Sequence, residues 1–197
     1  MRIQTRKLTV IGVLSAISIV LGLTPLGFIP IPPANATTMH IPVIIGAILE
    51  GPVAGALIGL IFGLFSMLQA IMRPGVLSFA FLNPIVAVLP RIMIGLISYY
   101  VYAGVLWLMR NSEKKHYVTT IASAVAAAAG TLTNTIGVLG MIYIIYAAKT
   151  AEALGVSYAA AGGAIAAIGM TNGIPEIIIA VIITVAVVSA VRKIRKR

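Results

Sequence analysis

The basic residues of this sequence stand in three short clusters, each set against an apolar stretch of spanning length, and that arrangement leaves few folds open. The first cluster is Arg2, Arg6 and Lys7, the second Arg110, Lys114 and Lys115, the third Arg192, Lys193, Arg195, Lys196 and Arg197. Together they hold eleven of the fourteen Lys and Arg. A soluble nucleic-acid-binding domain spreads its cations over one face, whereas cations that flank apolar runs act as topology signals. Composition agrees, since 60% hydrophobic residues, 9% charged residues and a mean hydropathy of +1.11 lie outside the range of soluble domains. The chain reads as a multi-pass protein of the cell membrane with no nucleic-acid partner.

Its 197 residues give room for six spans of about 20 residues with short connections. One membrane-embedded domain over residues 1–197 is therefore expected. The absence of cysteine excludes disulfides, thiolate metal sites and cysteine nucleophiles.

Residues 8–24 make the first span. With the small residues Ala34 to Ala36 it imitates a signal peptide, but its apolar stretch exceeds the usual ~7 to 15 residues, so it reads as a retained helix. The proline-rich residues 25–38 cannot form regular helix and must face solvent or pack as a lid. A short second span, His40 to Leu49, turns at Glu50-Gly51-Pro52 into a third, "VAGALIGLIFGLFSMLQAIM". Residues 73–83 connect to a fourth that opens at Pro84, the fifth runs from Tyr117 to Tyr146, and the sixth from Asn172 to Val191 after a Gly/Ala-rich loop over 147–171. With the three basic clusters inside, both termini are cytoplasmic, and segments 25–38, 73–83 and 147–171 lie outside.

Polar residues then converge on the outer half. Thr37, Thr38 and His40 open the second span, Asn83 and Arg91 the fourth, Asn172 and Glu176 the sixth, while the fifth carries Thr131, Thr133, Asn134 and Thr135. An ionisable group within a span faces the protein interior or water. Arg91 is thus a candidate to grip a ligand carboxylate, with a structural pair to Glu176, or snorkelling to the headgroups, as its alternatives. Asn134 offers a buried amide with both donor and acceptor. Threonines such as Thr131 more often bond their own helix. His40 is either a ligand donor or a solvated or capping residue, and Asn172 either lines the site or caps the sixth helix.

Two small-residue series complete the pattern. Gly12 and Ala16 on the first helix, and Gly55, Gly59 and Gly63 on the third, recur every four residues and give flat faces for close helix contact. Such faces pack within the bundle or dock a partner membrane subunit, and the first helix is the better docking candidate.

The stretch "NATTMHIPVIIGAILEGPVAGALIGLIFGLFSML", with "FLNPIVAVLPRIMIGLISYYVY", "GTLTNTIGVLGMIYIIY" and "TNGIPEIIIA", resembles the substrate-binding S components of energy-coupling factor (ECF) vitamin transporters. The resemblance runs from the first helix to the sixth. It implies an all-α six-helix membrane bundle with a vitamin pocket near the outer surface, capped here by residues 25–38 and 73–83. It also implies partners, a coupling membrane subunit and two cytoplasmic ATPases, with the loaded subunit toppling in the bilayer to release its cargo. The family's alanine pair on the first helix falls at Gly12 and Ala16, a departure at the first position.

The ligand this implies is a small aliphatic carboxylate with hydroxyl and amide groups, suited to Arg91, Asn134, Asn83, Thr38 and Thr131. Pantothenate is such a molecule, with cobalamin, folate or another precursor as alternatives. No phosphate-binding loop of the G-x-x-x-x-G-K-[ST] type is present, so ATP hydrolysis falls to the partners and no cofactor or metal is expected. An intramembrane enzyme lacks its signatures, since there is no H-E-x-x-H, no G-x-S-x-G and no aspartate at all. A self-sufficient secondary transporter of a small organic anion is the remaining rival. It needs polar groups through the inner half of the membrane, which here looks dry.

Overall fold

Eight consecutive residues, Ile41 to Ile48, are buried in the shortest of the major helices, and the bundle is organised around them. The computed structural model describes residues 5–31, 34–113 and 115–195. Arg2, Lys114, Lys196 and Arg197 of the basic clusters, and Pro32 and Pro33 of the proline-rich connection, lie outside the described residues.

In chain order the elements are α1 (Thr5–Leu23), a 3-10 turn (Pro25–Gly27), β1 (Phe28–Ile31), β2 (Ala34–Thr37), α2 (Ile41–Glu50), α3 (Pro52–Met72), α4 (Ser78–Phe81), α5 (Pro84–Ala87), α6 (Leu89–Leu108), α7 (Lys115–Leu154) and α8 (Tyr158–Arg195). Five segments are long and apolar enough to cross a membrane, α5 and α6 counting as one, and α2 is the shorter sixth. A helix apolar on every side belongs inside a protein. α2 meets that condition because α1, α3, α6, α7 and α8 all pack on it, which is why ten residues suffice.

Local chemistry sets the ends. Pro42 stands in the first turn of α2, where its missing N–H costs nothing. Gly51, at φ 100°, makes the reversal into α3 in a conformation that a side chain would strain. Asn83 caps α5, its Oδ1 accepting from the Ile85 N–H at 3.0 Å. The proline-rich connection folds as an antiparallel hairpin with Phe28 opposite Thr37 and Ile31 opposite Ala34.

The glycine series on α3 is used internally. A Cβ at Gly55 would come within 2.9 Å of the Gly95 Cα, one at Gly63 within 2.7 Å of the Val88 Cα, and Gly59 lies against the Arg91 carbonyl. α3 and α6 therefore touch backbone to backbone over three turns.

The expected loop over 147–171 is corrected by the structure. α7 continues to Leu154 with a break at Tyr146 (φ −130°, ψ 21°), and α8 starts at Tyr158, so Asn172 lies inside a helix and not at its cap. Only Gly155 to Ser157 turn. Gly155, at φ 67°, closes α7 with Gly155 N–H to the Glu152 carbonyl at 3.1 Å and Val156 N–H to the Ala151 carbonyl at 3.0 Å, the Schellman arrangement that satisfies the last carbonyls of a helix. The physical reason is alanine, the strongest helix former, which supplies six of the nine residues 159–167. The stretch of α7 before the break at Tyr146, residues 115–145, is about 46 Å long, more than the roughly 30 Å apolar core of a bilayer, and the part beyond it brings Leu154 to the cavity lining.

Candidate functional site

The end of α3, residues 75–78, the start of α6, α7 from Asn134 onward and the middle of α8 surround a cavity of about 580 Å³, with Thr37 at the end of β2 on its lining, inside the roughly 300 to 1,000 Å³ range of small-molecule sites. Its charged lining is Arg73, Arg91 and Glu176. That leaves an excess of one positive charge facing the space.

Arg91 is 5% exposed and is held between two rings, its guanidinium carbon 5.4 Å from the Phe62 centroid and 5.1 Å from that of Phe81. The ring faces attract the cation. Its Nη1 donates to the Val86 carbonyl at 2.9 Å, while Nε is buried with no partner. The first turn of α6 places it there, and Gly59 lets α3 approach close enough for Phe62 to cover it.

Glu176 faces the cavity from α8. One oxygen accepts from the Thr37 N–H at 2.6 Å and the other from the Thr135 hydroxyl at 3.3 Å. No ion pair within 4.0 Å joins Glu176 to Arg91 among the described residues, so the sequence alternative of a direct pair is not what holds either group. Asn134 and Asn172 complete the polar lining, and the Oδ1 of each is buried without a partner. Buried polar atoms are nearly always hydrogen-bonded. The wall thus presents a guanidinium N–H on one helix and, on two others, two amide oxygens without a partner beside a carboxylate bonded at both oxygens.

Of the residues singled out from sequence, Arg91, Asn134, Asn172 and Glu176 are brought together on this lining. Four others sit elsewhere. Asn83 caps α5 and its Nδ2 donates to the Tyr146 hydroxyl at 3.2 Å; Thr38 donates to the Leu26 carbonyl at 3.1 Å. His40 and Thr131 are fully buried and bond each other at 3.0 Å. Gly12 and Ala16 are exposed midway along α1, away from the lining, and a Cβ at Gly12 would meet nothing within 4 Å.

Sequence reasoning did not nominate Ser66, Gln69 and Arg73, yet all three line the cavity. Their spacing with Phe62, at i+4, i+7 and i+11 of α3, puts them on one helix face, a signal that was present. Gln69 Nε2 also donates to the Gly22 carbonyl, and Arg73 Nη2 to that of Leu23 at 3.4 Å, which ties α3 to the end of α1. Thr37 and Thr135 were seen as polar but not nominated, because their role depends on Glu176 reaching them from α8.

The chain matches the family described as ECF transporter, substrate-specific component, over residues 6–188. It is 34% identical over 177 residues to the Pantothenic acid transporter PanT of Lactococcus lactis subsp. cremoris, covering 83% of this chain and 81% of that one. It is likewise 34% identical over 168 residues to the Pantothenate transporter PanT of Leuconostoc mesenteroides subsp. mesenteroides, covering 85% of this chain and 79% of that one.

Proposed function

Because this chain belongs to the ECF transporter substrate-specific component family, we propose that this cavity captures pantothenate for import by an ATP-driven partner complex. The observation that carries this reading is the sorting of the lining into one buried guanidinium with an open N–H and the open amide acceptors of Asn134 and Asn172, beside the Glu176 carboxylate. Pantothenate carries a carboxylate, an amide and hydroxyl groups. Its carboxylate meets Arg91 in a charge-assisted bond, and its hydroxyl and amide protons meet the acceptors. The names of the two relatives support the same ligand.

With the basic clusters on the cytoplasmic side, the hairpin end opens outward and both termini lie inside. The exposed face of α1 carrying Gly12 and Ala16 receives the coupling membrane subunit, since small residues there admit a second backbone closely. Two cytoplasmic ATPases supply hydrolysis.

The test is binding of a panel of labelled vitamins to the purified protein and to Arg91→Ala. Saturable pantothenate binding that the variant loses supports the reading. Preference for another vitamin replaces the substrate, and pantothenate uptake by proteoliposomes that hold this chain alone replaces the mechanism with a self-sufficient secondary transporter.

A further inference from the structure

Glu176 works in two directions at once. Its Oε1 receives the backbone N–H of Thr37, the last residue of β2, at 2.6 Å, and its Oε2 receives the hydroxyl of Thr135 on α7 at 3.3 Å. One carboxylate on α8 therefore joins the hairpin to two bundle helices. The other hydrogen bonds at the foot of the hairpin stay within the connection itself: the Thr38 N–H goes to the Gly27 carbonyl and its hydroxyl to that of Leu26, both at 3.1 Å. The Thr37 N–H to Glu176 hydrogen bond links the end of β2 to α8. The same carboxylate is 5% exposed and lines the cavity. A carboxylate has about four acceptor positions, so the bonds to Thr37 and Thr135 leave room for a donor from the cavity side.

We propose that Glu176 is the lid-positioning residue of this protein: it fastens β2 across the cavity mouth and receives a ligand proton on the same group, so that a bound ligand and the closed hairpin share one anchor. The fastening of the hairpin stands on the contacts above; the ligand half rests on the pantothenate reading.

The chain's lack of cysteine makes the test direct. Spin labels on Asn35→Cys in β2 and Ser157→Cys in the turn before α8 report the hairpin's position against the bundle, first with no added pantothenate. The parent pair gives one narrow distance distribution. Glu176→Ala broadens it by removing the acceptor, and Thr37→Pro broadens it equally by removing the donor, with Ala36 already in the extended conformation that a following proline requires. Thr37→Ala keeps the N–H and keeps the narrow distribution. Pantothenate dissociation accelerates roughly 10-fold or more in Glu176→Ala and Thr37→Pro, the change expected for one charge-assisted hydrogen bond.

A narrow distribution in Thr37→Pro overturns the proposal whatever Glu176→Ala does, and so does broadening in Thr37→Ala, which would assign the restraint to the hydroxyl. If Glu176→Ala does not fold, the two Thr37 variants decide alone. Broadening in Thr37→Pro in a protein that binds no pantothenate leaves the fastening in place and removes only the substrate reading.

Discussion

The imidazole of His40 and the hydroxyl of Thr131 meet at 3.0 Å where neither has any solvent exposure. Thr131 already gives its proton to the Ala127 carbonyl at 2.9 Å, so it accepts from the histidine, which fixes a proton on Nε2. The bond joins the entry of α2 to the middle of α7 one layer below the cavity, where Met39 and Asn134 line the wall. Neither residue of this buried pair is on the cavity lining.

His40→Ala is therefore expected to act on stability. Loss of the bond and of the ring volume costs about 2 kcal/mol, seen as a lower Tm of the purified protein, while pantothenate affinity measured well below that temperature stays within a few-fold of the parent. A large loss of affinity at unchanged Tm would return His40 to the ligand contacts.

Arg91 carries the opposite expectation. Arg91→Ala weakens pantothenate binding by about 100-fold, in keeping with about 1.5–3 kcal/mol for a hydrogen bond to a charged group. The analogue in which the carboxylate is replaced by an alcohol binds the parent protein correspondingly less tightly. It binds Arg91→Ala no worse than pantothenate does, because the charge it lacks has lost its partner; calorimetry on the four combinations measures that coupling.

Substitution at the glycines separates packing from docking. Gly59→Val forces the α3 backbone off the Arg91 carbonyl, and such overpacking costs about 1–3 kcal/mol or more. A fall in Tm together with weaker pantothenate binding is expected, because Phe62 and Arg91 move with the two backbones.

Gly12→Leu and Ala16→Leu fill open space on α1, so Tm and pantothenate affinity hold. Co-purification with the coupling subunit and ATP-dependent uptake in the assembled complex are expected to fall at least 10-fold. Undisturbed uptake would move the docking face off α1.

What the sequence disclosed and what it withheld divide along physical lines. Long apolar stretches and their basic flanks are local signals, so the membrane class and the existence of each span were readable. The polar residues Arg91, Asn134, Asn172 and Glu176 were readable as well, because a polar group inside an apolar run is costly and conspicuous. Helix extent over 147–171 is poorly legible because alanine and glycine stand side by side there, and the helix preference of alanine prevails over the glycines. Asn83, Thr38, His40 and Thr131 looked equivalent to the lining residues in sequence. Each turned out to have its own partner, and those partners lie on the neighbouring backbone or on other helices, where spacing along the chain cannot point. The two roles of glycine were equally hidden: Gly55, Gly59 and Gly63 share the four-residue spacing of Gly12 and Ala16, and only the position of α6 tells the closed series from the open one.

The backbone contact between α3 and α6 divides inheritance of the site into two unequal parts. The cation on α6, the Phe62 ring that covers it and the polar face of α3 stand on a frame that admits almost no change at three successive turns. The hairpin lies outside that backbone contact, tied to α8 through the Thr37 N–H and Glu176, and can be redrawn with less disturbance. Substitutions at the three glycines of α3 are thus felt at Arg91, whereas substitutions in the hairpin leave the guanidinium and its Phe62 cover in place.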